Sequence, residues 1–428
     1  MRDFLPADKA RRERVLAVIR ERYRAHGFDE IETPVVEEYA RLHAGIGGDN
    51  EKLAFNVLKR GLDADGIRAA VDDAAPVDVG ALSDLGLRYD LTVPLARFYA
   101  THRAELPAVF RSIQMAPVWR AERPQKGRYR QFVQCDIDII GDSTARAEAE
   151  LLVATLDTLD SLGLDGGSIR INDRRALDWM LDSFGFTAEE RPGVLITIDK
   201  LDKIGAGGVV TELAGRGASP DAVEALRSFM NRPQTLEYRP YGDDQIRRAL
   251  PTGAPDEIVD HLVAIGEAVA AARPDDATAT AESPLVFDPF LVRGMGYYTG
   301  TIFELAHPSV DYSLGGGGRY DGMIGRFLGQ DVPAVGFSIG FERIVDLLSG
   351  GGDDDASSLV LVHDRDVAVA DLVALKAALI AEGHRVRVEQ RTKNLKALLE
   401  RAAADGYRSF ATVSARQTRA GIELKSLR

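Results

Sequence analysis

Apolar side chains at Val15, Leu16, Val18, Ile19 and Tyr23 recur among Arg and Glu at helical spacing. They predict a helix over residues 8–26 that Gly27 ends. FDEIETPVVE then predicts a short strand broken at Pro34, whose ring removes a ladder donor. Residues 61–86 mix Gly, Asp, Pro and Ala without a period and predict a surface insertion or loop. From 87 to 141 the pattern turns strand-like: PAVFRSIQMAPVWRAE and RYRQFVQCDIDIIG flank the polar RPQKG and predict an antiparallel hairpin. A helix is predicted at about 144–162, then the strand GSIRIN. Residues 175–280 carry helical patterns broken by Gly and Pro, with an Ala/Asp-rich linker near 271–283. Strand-like runs return in LVFDPFLVRGMGYYTGTIFEL, GGGGRYDG is a tight glycine passage, and AVGFSIGFERIVDLL is a strand running into a helix. After the linker SGGGDDDASS the chain reads βαβαβ (SLVLVH, DLVALKAALIAEG, HRVRVE, NLKALLERAAADG, YRSFATV), with a final strand IELKSL.

At 428 residues the chain exceeds what one core organises, so two or three domains are expected. Hydrophobic content of 45% and charged content of 28% are those of a soluble globular protein. The single cysteine, Cys135, excludes an intrachain disulfide framework and a cysteine zinc cluster and fits a reducing cytoplasm. MRDFLPADKARRERV places charges where a signal peptide needs an apolar run, and no stretch approaches the roughly 18 apolar residues of a membrane span. A cytoplasmic protein without membrane contact is expected. The net charge of −13 argues against a uniformly basic nucleic-acid coat, yet residues 361–428 carry 13 Lys and Arg against 8 Asp and Glu. A modestly basic tail on an acidic body suits local contact with a phosphate backbone, and equally an ordinary solvated surface.

G-x-x-x-x-G-K-[ST], G-x-G-x-x-G and HExxH are all absent, and GMGYYTG at 294–300 has the wrong spacing. Seven scattered histidines with one cysteine give no metal-ligand spacing. A triphosphate bound here would be held by guanidinium groups. Arg120, Arg123, Arg128 and Arg130 lie on or beside one hairpin, and Arg293 and Arg343 on later strand-like segments. Converging planar forks bind phosphate oxygens and stabilise charge that grows as pyrophosphate leaves. A single arginine would more ordinarily pair with Glu122, Asp136 or Glu342 at a surface; six in glycine-rich, strand-embedded settings favour the clamp. A second set is polar: Asp90 and Thr92 in LRYDLTVP, and Gln134, Asp136 and Asp138, which alternate and so share one strand face. Buried without partners, such groups cost on the order of 1–3 kcal/mol each, which an amino-acid substrate would offset. An exposed sheet face is the alternative.

RAERPQKGRYRQFVQCDIDIIG, LRYDLTVPLARF, LVRGMGYYTGTIFE, LGGGGRYDGM and PAVGFSIGFERI resemble, in order, the signature segments of the histidyl-tRNA synthetases, a class II aminoacyl-tRNA synthetase family. GFDEIETPVVE resembles the class's dimer-forming first motif. The resemblance covers about residues 2–345, more weakly the tail. RxERPQKGRYRQF and VRGxxYYTGTxFE are particular to the family. It implies an α+β fold, a mixed and mainly antiparallel sheet flanked by helices. The catalytic domain would comprise 1–186 and 276–348, interrupted by a helical insertion at 187–275. A linker at 349–358 would lead to a shortened anticodon-binding-like α/β domain at 359–428. It implies a homodimer that activates L-histidine with ATP and Mg²⁺ and loads it onto tRNA(His), with no metal held by protein motifs.

By position, Arg120 resembles the second-motif arginine on the α-phosphate and Arg343 the third-motif arginine on ATP. Arg128 and Glu122 match positions near the γ-phosphate and adenine. Arg293 matches an arginine beside the α-phosphate where other members use a metal. Asp90, Thr92 and Gln134 match contacts to the ammonium and carboxylate of the amino acid; Asp138 and Tyr298 match contacts to the imidazole, with Tyr297 adjacent. Two features depart from the family pattern: Gly296 stands where many members have Asp, and the tail lacks the usual last strand and helix. An adenylating paralogue with a non-tRNA acceptor, or a non-catalytic regulatory subunit of ATP phosphoribosyltransferase, are the alternatives.

Overall fold

A computed structural model describes residues 1–46, 53–71, 77–123, 128–232, 241–273, 284–292, 297–348, 357–415, 417 and 421–427. The chain divides into two compact units, residues 16–344 with Met1, and residues 2–15 with 345–428.

Helix α1 (Pro6–Ala25) opens on a proline, whose fixed φ suits a first turn, and stops at Gly27, which takes the left-handed conformation at φ 82°. Pro34 separates β1 (Asp29–Glu30) from β2 (Val36–Glu38). After α2 (Tyr39–Ile46) and β3 (Asn56–Leu58), the stretch expected as a loop over 61–86 holds α3 (Ala64–Ala69), α4 (Val79–Leu82) and most of β4 (Ser83–Leu87). The aspartates that suggested a loop are caps: Asp63 accepts the Gly66 N–H and Asp78 the Ala81 N–H. β2, β4 and β3 form a small antiparallel sheet in that order. LTVPLARFYATH, within the stretch expected to be strand-like, is instead helix α5 (Thr92–His102). Its Val93, Leu95, Ala96 and Tyr99 are buried, and Pro94 sits in the first turn, where its missing N–H is harmless.

β5 (Phe110–Trp119) and β6 (Gln131–Ile140) form the expected hairpin, Phe110 opposite Ile140 and Trp119 opposite Gln131. Then come α6 (Ala145–Ser161), β7 (Ser168–Asp173), α7 (Arg174–Phe184) and a helical stretch, α8 (Arg191–Ile198), α9 (Leu201–Gly215), α10 (Pro220–Met230), α11 (Asp243–Ala249) and α12 (Asp256–Ala272). The unit closes with β8 (Leu285–Phe287), β9 (Thr301–Ala306), β10 (Gly315–Arg319), α13 (Asp321–Leu328), β11 (Ala334–Gly340) and α14 (Phe341–Leu347), the last crossing into the second unit. The four-glycine run is thus not a turn: it is β10, an interior strand between β9 and β11. The large sheet runs β1-β5-β6-β11-β10-β9-β7-β8, parallel at β1/β5 and β7/β8 and antiparallel between. This is the expected α+β, mainly antiparallel architecture.

Opposed residues of a ladder share a face. One face of the large sheet is apolar: Ile113, Cys135, Ile137, Ile139, Val335, Phe337, Ile339, Phe303, Leu305, Ile169 and Ile171 are all buried. α6 lies on this side, its Glu148 reaching Thr301 and Arg319 there. The other face carries the candidate site.

In the second unit, β12 (Ser358–His363), α15 (Val369–Ala381), β13 (Arg385–Gln390), α16 (Leu395–Ala404), β14 (Ser409–Val413) and β15 (Lys425–Ser426) follow the expected βαβαβ order with a final strand. The sheet runs β13-β12-β14-β15, parallel except for β15. Leu359 and Leu361 pack with Leu372, Leu375 and Leu379 of α15, while Val360 and Val362 pack with Ala402 and Leu398 of α16.

Candidate functional site

The polar face is read row by row from the register. Gln134, Asp136 and Asp138 of β6 oppose Gly340, Ser338 and Gly336 of β11. Ser338 and Gly336 oppose Gly316 and Gly318 of β10, and those oppose Glu304 and Ile302 of β9. Over these rows the two central strands therefore present only glycine and serine. The result is a trough floored by backbone, with a carboxylate and amide wall on β6. Gly336 is required there, because a Cβ would stand 1.9 Å from an Asp138 carboxylate oxygen. Two of the β10 glycines serve the packing of the strands themselves. A Cβ on Gly317 would meet the Gly336 carbonyl at 1.9 Å, and one on Gly318 the Thr301 carbonyl at 2.6 Å. They let the strands come together.

Three buried aspartates gather at the wall. Asp138 is 4% exposed and accepts the Tyr320 hydroxyl at 2.6 Å. Burial pushes its carboxyl up to about 7, and the Asp90 charge adds to this against the Tyr320 hydrogen bond. Asp136 is raised well above the usual range by burial and then by the Asp138 charge. Asp90, on the turn into α5, is raised by burial against the Val93 and Thr92 N–H groups. One Asp90 oxygen accepts the Val93 N–H at 3.2 Å; the other, Oδ2, is buried without a partner. Gln134 is similar: Nε2 donates to Ser338 Oγ at 3.1 Å, while Oε1 is buried and unpartnered.

Three tyrosines close the pocket edge to face. The Tyr297 and Tyr298 ring centroids are 4.9 Å apart, and those of Tyr297 and Tyr320 are 6.2 Å apart. Thr92 hydrogen-bonds Tyr297, whose hydroxyl is raised by burial. Such a pocket, rich in carboxyl and amide acceptors whose ionisation a nearby cation would favour, suits a small ligand with an ammonium and ring N–H donors.

Arg120 stands beside it. Its guanidinium lies over the Tyr89 ring at 4.4 Å and the Phe132 ring at 5.0 Å, and Nε donates to the Tyr89 carbonyl at 3.1 Å. Its charge lowers Asp90 and Asp136 toward ionisation. Arg123, Arg128 and Arg130 are exposed at the open end of the same hairpin. Arg128 reaches Glu122 at 3.5 Å and Arg130 Nε donates to the Glu122 carbonyl at 3.1 Å. Arg343 follows the end of β11, over the Tyr312 ring at 5.3 Å and donating to the Ser313 carbonyl. Arg293, with Gly296, lies outside the described residues. Glu342, weighed as a surface partner for arginine, accepts the Val133 N–H.

The structure adds residues that sequence reasoning passed over. Tyr320 lay inside the quoted GGGGRYDG, where the glycines drew the attention. Ser338 needed the strand register to be seen. Arg88 is a buried cation: it donates to the Pro117 carbonyl at 2.8 Å and the Thr33 carbonyl at 2.8 Å, while Gln114 donates to the Leu91 carbonyl at 3.1 Å. Together they frame the Asp90 turn.

Residues 1–344 match the family model described as Histidyl-tRNA synthetase. The histidine–tRNA ligase of Leifsonia xyli subsp. xyli is 58% identical over 435 residues, spanning 100% of this chain and 97% of that protein. That of Paracoccus denitrificans is 36% identical over 420 residues, spanning 90% of this chain and 80% of that protein. Among solved structures, histidyl-tRNA synthetase from Nostoc sp. PCC 7120 aligns with a TM-score of 0.75 at 25% identity, over 100% of this chain and 93% of that one. A Bacillus halodurans structure described as an ATP phosphoribosyltransferase regulatory subunit/histidyl-tRNA synthetase aligns with a TM-score of 0.73 at 20% identity, over 97% and 96%, a likeness of fold alone.

Proposed function

This chain belongs to the histidyl-tRNA synthetase family, and from that premise we propose which of its residues carry the histidine–tRNA ligase reaction. The reaction has two steps. A histidine carboxylate oxygen attacks the α-phosphorus of ATP, the bond to the β-phosphate breaks, and pyrophosphate leaves. A ribose hydroxyl at the 3′ end of tRNA(His) then attacks the adenylate carbonyl, and AMP leaves.

Asp90 and Gln134 hold the ammonium, with Thr92 at the amino-acid end of the pocket; their two unpartnered buried acceptors are the observation that carries this assignment. Asp138 and Tyr298 take the imidazole, supported by Tyr297. A side chain without ring N–H groups would strand these buried partners, a penalty that discriminates by roughly 10⁴ or more. Arg120, held in one orientation by two rings and a carbonyl, faces the α-phosphate, where charge grows in the transition state. Arg293 shares that task, Arg343 binds ATP, and Arg128 with Glu122 reaches the γ-phosphate and adenine. Magnesium accompanies the triphosphate as part of the substrate.

The protein works as a cytoplasmic homodimer in this reading. Exposed Val36, Val57, Leu58 and Leu85 of the small sheet support a second copy there. Among the described residues no helix is long and apolar enough to cross a membrane. The second unit contacts tRNA, supported by the excess of 13 Lys and Arg over 8 Asp and Glu in residues 361–428, which suits a phosphate backbone. Histidine-dependent exchange of pyrophosphate into ATP, followed by charging of tRNA(His), tests the function. Folded protein that shows no exchange would overturn it; exchange without charging would favour the paralogue with another acceptor.

A further inference from the structure

Asp136 occupies the middle of the polar wall, and none of the roles above uses it. It is 5% exposed, opposite Ser338 on one side and Gln114 on the other. Gln134 Nε2 lies 3.4 Å from each Asp136 carboxylate oxygen and 3.1 Å from Ser338 Oγ. The two ends of a primary amide have nearly the same shape and opposite polarity, one donating two hydrogen bonds and the other accepting. Against the ionised carboxylate, the form that a cationic substrate and Arg120 favour over the upward push of burial, the NH₂ end is attracted, whereas the reversed amide would set oxygen against oxygen. Asp136 therefore decides which end of Gln134 turns away from the wall.

The end turned away is Oε1, buried without a partner, as is Asp90 Oδ2. Both are acceptors, as a substrate ammonium requires. With the amide reversed, an NH₂ group would confront that ammonium and one of the two acceptors would be lost. We propose that Asp136 is a positioning residue that fixes the Gln134 amide with its oxygen toward the substrate ammonium. The inference rests on the histidine-activating function above. Ser338 is the second anchor, accepting from the same nitrogen, which is why a small hydroxyl-bearing residue stands opposite Asp136 in the ladder.

The test is steady-state pyrophosphate exchange with full-length protein. Asp136→Ala frees the amide to rotate, and loss of one oriented hydrogen bond to a charged group raises the KM for histidine about tenfold. kcat stays within about threefold and the KM for ATP is unmoved. Asp136→Asn still offers an oxygen to Nε2 and keeps the KM for histidine within about threefold of the parent. In a Gln134→Ala background, Asp136→Ala changes that KM by less than about twofold, because the residue through which it acts is gone. An asparagine variant as impaired as the alanine variant would show that charge, not amide orientation, is what matters, and would overturn the proposal. So would an equal alanine effect in both backgrounds. If the alanine variant does not fold, Asp136→Leu, similar in volume and without an acceptor, takes its place: a rise of about tenfold in the KM for histidine supports the proposal and an unchanged KM overturns it. Unmodified protein that fails to activate histidine refutes the function; active protein indifferent to Asp136→Ala refutes only the positioning.

Discussion

The two sheets of this chain solve burial in opposite ways. In the second unit, β12 sends Leu359 and Leu361 to one face and Val360 and Val362 to the other, and a helix covers each. This is the continuous apolar run of a parallel sheet closed on both sides. The large sheet is apolar along the whole of one face only; the other, packed against α5 and α13 at one end, is open to polar groups at its centre. Its β6 alternates Cys135, Ile137 and Ile139, all fully buried, with Gln134, Asp136 and Asp138 on the opposite side. A sheet selected for packing alone would not gather three buried carboxylates beside a glycine floor, since each carries a desolvation cost that the neighbouring cation, Arg120, does not outweigh. The contrast supports the proposed site: stability is given up where a cationic substrate would restore the balance.

Gly336→Ala should produce the largest effect, because it strikes the trough at its narrowest point. The new Cβ would overlap an Asp138 carboxylate oxygen at 1.9 Å and press on the Tyr320 ring at 3.3 Å. The carboxylate is the movable party, so the fold survives and the imidazole contact does not. kcat/KM for histidine activation should fall on the order of 10³-fold, about 4 kcal/mol. A variant that keeps its activity would mean that the polar face is not where histidine lies.

Leu361→Ala is the matching change in the closed sheet. Leu361 is fully buried between β12 and α15, and truncation leaves a cavity that costs about 3 kcal/mol. The loss should be read as faster hydrogen exchange of the β12 amides. If exchange there is unaltered, the second sheet is not held by its two apolar faces, and the contrast fails.

How much of this was readable beforehand follows the same division. The β5–β6 hairpin, the shared face of Gln134, Asp136 and Asp138, and the tail's βαβαβ order were legible because period-2 alternation and turn residues are local signals. Asp90, Thr92, Arg120, Tyr297 and Tyr298 could be nominated, and the structure brings them together around Asp136 and Asp138. Non-local facts were out of reach. β10 shows no alternation because glycine has no side chain to alternate, so its strand state is set by its neighbours β9 and β11. Ser338 and Gly336 matter through register alone. α5 was hidden because LTVPLARFYATH is apolar enough to mask a helical period. Nothing in the sequence around Arg88 sets it apart from a surface arginine, although it is a buried donor to backbone carbonyls. Asp63 and Asp78 signalled a loop equally well as they signalled helix caps.

The smallest effect, and the one most specific to the open face, is a dependence on pH. Burial lifts the Asp138 carboxyl to about 7 in the folded chain, while the unfolded chain leaves it near an ordinary value of about 4. Between those values the folded state keeps a proton that the unfolded state has released. Asp138 therefore costs no stability below about pH 4, costs progressively more as pH rises through about 4–7, and costs most above that. Asp138→Asn removes the charge and still accepts the Tyr320 hydroxyl, at the expense of a new amide N–H₂ whose lack of partners costs about 1–3 kcal/mol. Set against a shift of about three units, worth about 4 kcal/mol, a net gain of about 1–3 kcal/mol remains at pH 8. In ligand-free protein this should raise the melting temperature by about 2–4 °C at pH 8, with the advantage shrinking and then reversing toward pH 4. Histidine should favour the parent protein, because its ring N–H supplies the donor that the ionised carboxylate lacks. A melting difference that stays constant across this range would mean that Asp138 is not strained by its burial, and the open face of the large sheet would then be no less stable than the closed one.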